Sequence, residues 1–300
     1  MHTTHTDKGY FNALRIQAFG RAIARGLGLC VALTMAPVAH AQDKEDTAQS
    51  LPLWEAGVVA GALSTPSYPG SNQPNRRSLV LPYFIYRGEI LRANRGGMGA
   101  RLAHSETWEI DVGFTGSLPA NSNDIELRQG MPDLGTLLEF GPRLKVLLAQ
   151  PAADSRVTME VPLRTVLELN DGVRQVGNVL EPKLAYEREV GANWYVKTAI
   201  SVIVGDTQLN QYFYGVSAAQ ATAARPAFNA QGGLIGTRLT LDGSKSLGPD
   251  VRLFAYGRYD MHGGAANRAS PLFAQDTGTT AGLGLVWTLG RSSTRVADDL

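Results

Sequence analysis

Cysteine is almost missing from this chain: among 300 residues there is one, Cys30. It sits in a segment read below as a removable leader, so disulfides, thiolate metal sites and a cysteine nucleophile are excluded from everything that follows it. Cys30 is also no lipid-attachment site, because Leu29 precedes it where such sites need a small residue. Long apolar runs are lacking too. After position 41 no window reaches the roughly 18 uninterrupted apolar residues a helical span requires, which excludes helical membrane segments. Nor is there an excess of positive charge. Removing residues 1–41 takes away Lys8, Arg15, Arg21, Arg25 and Asp7, leaving 24 basic against 26 acidic residues from totals of 28 and 27, a net charge of −2. Without a basic stripe, no nucleic-acid partner is expected.

What is present begins with an export signal. Arg15, Arg21 and Arg25 form a positive region, LGLCVALTMA (27–36) a short apolar core, and Ala39-His40-Ala41 a small-x-small cleavage site before Gln42. Residues 1–41 are therefore read as a signal peptide and 42–53 as a flexible periplasmic leader.

The remainder is organised around residues 156–170, RVTMEVPLRTVLELN. One parity carries Val157, Met159, Val161, Leu163, Leu167 and Leu169; the other carries Thr158, Glu160, Arg164 and Glu168. In a strand these sets project from opposite faces, and the alternation outruns the 9–11 residues or so that a tilted strand needs to cross a bilayer. The pattern recurs. Leu138, Phe140, Leu144, Val146 and Leu148 oppose Glu139, Arg143 and Lys145; Trp108, Ile110, Val112 and Phe114 oppose Glu109 and Asp111; Trp194, Val196, Ile200, Val202 and Val204 oppose Tyr195, Lys197 and Ser201. Closing such strands into a ring wets the charged faces inside and removes the unpaired edges that lipid does not tolerate. About twelve segments fit: 54–64, 78–87, 89–95, 98–104, 106–118, 135–149, 156–169, 178–190, 193–205, 233–243, 250–260 and 277–289. The expected fold is all-β, an antiparallel transmembrane β-barrel of about 12 strands over residues 54–290, with a flexible tail at 291–300.

Connection lengths support a ring with two unlike ends. Starting from the periplasm, the odd connections (65–77, 119–134, 170–177, 206–232, 261–276) are long and the even ones short, as outer-membrane barrels arrange them. The turn at 96–97 alone breaks the rule. Trp54, Trp108, Trp194 and Trp287 all fall at the short-turn end, where an interfacial aromatic belt would lie.

Catalytic, cofactor and metal residues are assigned to none of these positions. His104 and His262 are predicted at opposite ends, and Asp260 with His262 is the best available pair, lacking a third oriented group. The inward charges Glu139, Arg143, Lys145, Glu160, Arg164, Glu168, Glu181, Lys183, Glu187, Lys197, Arg238, Arg252 and Arg258 mix both signs, which suits pairing across the lumen better than a charge-sorting pore. Tyr212, Phe213 and Tyr214 in the longest connection either fold into the barrel mouth, form a contact surface or join the interfacial belt.

Three groups of residues resemble the MipA/OmpV family of outer-membrane barrels: Tyr68-Pro69-Gly70-Ser71; Leu81-Pro82-Tyr83 through Tyr86-Arg87-Gly88; and Tyr212-Phe213-Tyr214-Gly215-Val216-Ser217 with Gln220 and Gly232-Gly233. The resemblance spans roughly Trp54 to Leu289. It implies location in the outer membrane of a Gram-negative cell, contact with outer-membrane lipid, and a non-enzymatic scaffold role linking a lytic transglycosylase to a peptidoglycan synthase, with a passive small-solute channel or a surface adhesin as alternatives. Family members usually end on an aromatic residue closing the last strand. Here GRSSTRVADDL follows Leu289, which places the expected assembly signal internally at Trp287-Thr288-Leu289.

Overall fold

A computed structural model describes residues 50–297 apart from 89, 90, 95, 96, 171 and 192. The signal peptide, most of the leader and residues 298–300 lie outside the described residues.

The strands are β1 (Ser50–Pro52), β2 (Trp54–Pro66), β3 (Pro74–Arg87), β4 (Leu91–Asn94), β5 (Gly97–His104), β6 (Trp108–Ser117), β7 (Thr136–Ala152), β8 (Ser155–Leu169), β9 (Val173–Leu180), β10 (Lys183–Val190), β11 (Trp194–Gly205), β12 (Gly233–Ser246), β13 (Val251–Met261), β14 (Thr277–Arg291) and β15 (Arg295–Ala297). Strands β2 to β14 form one antiparallel sheet in which sequence neighbours pair, β9 and β10 excepted, and β14 returns to pair with β2. Both β9 and β10 lie between β8 and β11. They are one wall strand, interrupted at Glu181-Pro182 because a proline nitrogen has no hydrogen to give the ladder. The sheet is therefore a closed ring of twelve wall strands, a transmembrane β-barrel.

Alternation decides which side is which. On β8, Leu163 is 53% exposed and Glu160 only 4%. The same split holds across the wall: Ile200, Leu239, Leu241, Leu283 and Leu285 face outward while Asp111, Glu181, Glu187, Ser201 and Asp260 are buried inside. Ile200 and Leu239 are direct cross-strand neighbours in the apolar belt. All four tryptophans are exposed, at the starts of β2, β6 and β11 and near the end of β14, hence at the short-turn end. Lys245 Nζ lies 5.0 Å from the centre of the Trp194 ring, holding a cation against a wet ring face.

Two features differ from the sequence reading. Residues 50–52 and 295–297, expected in a flexible leader and tail, pair as an antiparallel ribbon, β1 with β15. The ribbon is tied to the barrel rim: Arg87 Nη1 donates to Pro52 O at 2.7 Å and Arg87 Nη2 meets Glu55 Oε1 at 2.6 Å, while Leu53 N donates to Thr294 O at 2.9 Å. Secondly, β4 spans four residues and β5 eight, shorter than full wall height. The alternation of connection lengths breaks where these two short strands end, at the pair Asn94↔Gly97.

Leu239→Arg, at the middle of β12, is expected to lower stability in lipid by about 2–4 kcal/mol. The lumen-facing Thr240→Ser is expected to stay within about 0.5 kcal/mol. Reversible urea unfolding in phospholipid vesicles measures both.

The ion-paired lumen and its loop cap

The inward parity places acids and bases opposite one another, and they pair as the strand register dictates. Asp111 on β6 faces Arg143 on β7 and the two form a bidentate contact; Arg143 Nη1 also approaches Glu160 at 3.7 Å. Glu160 meets Lys197 at 3.4 Å, and Lys197 continues to Glu187 at 2.9 Å, which accepts from Arg156 at 2.9 Å. Nearer the long-loop end, Arg164 bridges Glu139 at 2.8 Å and Glu181 at 2.6 Å. Glu181 goes on to Arg238 at 3.2 Å, and Arg238 to Asp260 at 2.7 Å, beside Arg258 at 3.0 Å. Buried charges are tolerated only when paired and hydrogen-bonded, so these two chains both fill the lumen and hold its walls. The expected mixture of signs is present. Asp111 and Asp260 also join the network, on the inward parity of β6 and β13.

A cavity of about 890 Å³ remains inside. Its lining carries Arg143, Arg164, Lys183, Lys197, Arg238, Arg252 and Arg258 against Glu139, Glu160, Glu181, Asp242 and Asp260, seven cations to five carboxylates.

The long loops fold over one end of this cavity. Helix α1 (Thr207–Tyr214), inside the longest connection, is capped by Asp206, whose Oδ1 accepts from Leu209 N at 2.8 Å. Asp206 Oδ2 also accepts from Asn178 N at 2.9 Å and Nδ2 at 2.8 Å, tying the helix to β9. The helix approaches β9 so closely that a Cβ on Gly177 would stand 2.4 Å from Leu209 N. Gly177 also has φ +135°, so only glycine fits there. Leu209 then packs with Leu137, Val166, Val176, Val179, Ile203 and Ile235, an apolar plug at the top of the barrel wall.

A second layer uses the motif residues. Tyr68, Ala120, Ile125 and Leu134 cluster beneath Tyr212 and Phe213. Tyr68 Oη donates to Leu272 O at 2.5 Å; Gly70, at φ +84°, turns its carbonyl to accept from Ala274 N at 2.9 Å and Gln275 N at 3.1 Å. Tyr212 Oη donates to Glu168 Oε1 at 2.8 Å and accepts from Gly135 N at 3.0 Å. Arg128 lies 5.7 Å from the centre of the Tyr68 ring and donates to Phe213 O at 3.3 Å and Pro132 O at 3.2 Å. Asn267 Nδ2 joins Asn210 Oδ1 at 2.9 Å to Gln231 O at 2.8 Å. Of the three placements open for Tyr212 to Tyr214, the structure selects the barrel mouth.

Burial pushes the Tyr68 hydroxyl up to about 12, partly offset by the Arg128 charge. Tyr212 is raised by burial and by the neighbouring Glu168 carboxylate, and Tyr214 by burial. The histidines are far apart. His104 is exposed at the end of β5, whereas His262 is buried under the cap with Nδ1 donating to Ile235 O at 2.9 Å and its ring edge-on to Phe273. Asp260 is engaged by Arg238 and Arg258. No metal-binding cluster of three or more His, Cys, Asp or Glu occurs among the described residues.

Gly177→Ala is expected to cost the cap about 1–3 kcal/mol, seen as faster amide exchange in residues 207–214 with the wall strands unchanged. Tyr214→Phe is expected to be neutral or stabilising, since Tyr214 Oη is buried with no hydrogen-bond partner. A tyrosine held neutral stabilises the cap fully below its unfolded pKa of about 10, and that contribution is lost as pH rises towards about 12. Protease nicking of residues 206–232 is therefore expected to rise across that window.

Among curated protein sequences no match is found. The solved structures it is similar to include the NanC porin, with TM-score 0.37 and 11% identity over 78% of this chain and 100% of that one. A COG4313 outer-membrane channel from Pseudomonas putida F1 gives 0.36 and 12% over 83% and 100%, and outer-membrane phospholipase A from Escherichia coli 0.33 and 13% over 78% and 92%. These likenesses are too distant to transfer a ligand or an activity. Residues 58–289, which take in nearly the whole wall and the cap, match the family described as MltA-interacting protein MipA, and the chain belongs to that family.

Proposed function

We propose that this outer-membrane β-barrel is a non-enzymatic scaffold, which presents its short-turn face to the periplasm and there holds a lytic transglycosylase near a peptidoglycan synthase. The observation that carries the reading is the packed cap. Three apolar clusters and helix α1 close the long-loop end, and the lumen is crossed by paired charges, an arrangement suited to a rigid post rather than a conduit. Short turns face the periplasm in outer-membrane barrels, so the opposite end is the one within reach of murein enzymes.

That end has a built surface. The β1–β15 ribbon is clamped by Arg87, which the family resemblance singles out, and Leu247 stands exposed in the β12–β13 turn. Arg291, at the end of β14, donates to Pro249 O at 2.9 Å and pairs with Asp250, which holds the turn that displays Leu247. The family description, interaction with MltA, accords with this reading. A passive channel is the second reading, favoured by the 890 Å³ cavity.

Leu247→Asp is expected to weaken binding of a lytic transglycosylase to the barrel in lipid nanodiscs at least tenfold, while Arg225→Glu in the cap leaves it unchanged; calorimetric titration measures both. Equal loss from the two variants, or no binding to the parent, sinks the scaffold. In planar bilayers the parent is expected to give no steady conductance steps, and steady steps would favour the channel.

A further inference from the structure

The barrel wall has a side opening. Strand β3 pairs with β2 along its whole length, from Pro66↔Pro74 to Trp54↔Tyr86. On its other side the partner β4 meets it only at Tyr86 and Arg87, and the β4–β5 hairpin turns back after Asn94, which pairs with Gly97. Residues 74–82 of β3 thus have no strand beside them on that edge among the described residues. Across the gap, β6 pairs with β5 only as far as Phe114 among the described residues. At the hairpin, β3 and β6 are three strand spacings apart, roughly 14 Å. Above, Asn75 Nδ2 and Arg77 Nη2 donate to Pro119 O at 2.9 and 3.3 Å, which forms a lintel.

Burial reports the same opening. Every residue from Arg76 to Pro82 is exposed, on both parities: Leu79 at 36%, Val80 at 72% and Leu81 at 48%. Residues 114–117 of β6, across the gap, are likewise exposed on both parities, whereas β8 and β14 alternate. Proline suits such an edge, since Pro74 and Pro82 have no N–H to leave unpaired.

An unpaired sheet edge does not persist against lipid tails, because each unmet backbone group costs several kcal/mol; it persists where it borders a water-filled cavity. The 890 Å³ lumen supplies that cavity, as it is lined by Asn75 and by residues 113–118 on the far side of the gap. The rim is apolar, with Leu79, Leu81 and Phe114, and just inside it stands Arg143, whose Nε lies 3.8 Å from where a Cβ on Gly113 would be. An apolar rim, a guanidinium just inside it that bridges Asp111 and Glu160, and a capped mouth select one class of ligand. We propose that the lumen opens sideways into the membrane between β3 and β6 and takes up a single-tailed anionic amphiphile, its tail against Leu79, Leu81 and Phe114 and its head group inside near Arg143.

The test uses the barrel in lipid nanodiscs with two diazirine-bearing C16 probes of the same tail, one ending in a carboxylate and one in a trimethylammonium group. The carboxylate probe is expected to crosslink to residues 79–82 and Phe114 at least fivefold more than the ammonium probe, and at least fivefold more than to the Leu239 face of the closed wall. Gly113→Phe, which fills the passage, is expected to reduce that crosslinking tenfold, while Gly113→Ser retains it. In a Cys30→Ser background, Leu79→Cys, Val80→Cys and Leu81→Cys are all expected to react with a water-soluble maleimide, whereas Arg238→Cys reacts and Leu239→Cys does not. Equal crosslinking of both probes, uniform labelling around the belt, or an alternating maleimide pattern on β3 would overturn the proposal. So would a Val80→Cys disulfide between two copies, since a second chain would then occupy the edge.

Discussion

Every feature of this molecule answers to one constraint: in a bilayer the backbone has to satisfy its own hydrogen bonds. Thirteen sheet segments solve the problem by closing on themselves, β14 meeting β2, and closure then determines the rest. A ring has an inside, so the parity that lipid rejects is forced together, and acids and bases placed there pair across strand boundaries or pay a prohibitive desolvation cost. The chain from Asp111 through Arg143, Glu160 and Lys197 to Glu187 runs through cross-strand neighbours for this reason.

Closure also explains where the loops go. The wide mouth of a twelve-strand ring would leave the upper lumen wet, and the connections 118–135, 206–232 and 262–276 bury apolar side chains over it. Gly177 lets α1 sit against β9, Asp206 serves both as helix cap and as tie to Asn178, and Tyr68 reaches across to the last loop at Leu272. The residues that carry the family resemblance are thereby given physical work. Tyr68-Pro69-Gly70-Ser71 and the segment from Tyr212 to Ser217 build the cap; Leu81, Pro82 and Tyr83 lie on the strand beside the wall opening; Arg87 clamps the terminal ribbon.

Much of this was legible in the sequence, because period-two alternation states which side chains share a face whatever the partner strand is. The wall segments and the inward charges came from that rule, and the connection lengths and the shared end of the tryptophans agreed with it independently. Two signals were visible but read past. The segments 89–95 and 98–104 are shorter than a bilayer crossing demands, and the turn at 96–97 was the single exception to long-and-short alternation; both mark strands that stop part-way up.

What the sequence determined by itself is the local choice at each residue: strand or loop, oily face or charged face, and from these the closed ring and its orientation of side chains. Only the tertiary structure decided what depends on residues far apart meeting. Ser50–Pro52 pairs with Arg295–Ala297 across nearly the whole chain, α1 folds inward rather than standing out, His262 and Asp260 go to different partners, and residues 74–82 of β3 have no strand on one edge among the described residues. Alternation repeats at every register and carries no record of which strand lies beside which, so pairing, capping and the gap in the wall emerge only when the ring closes.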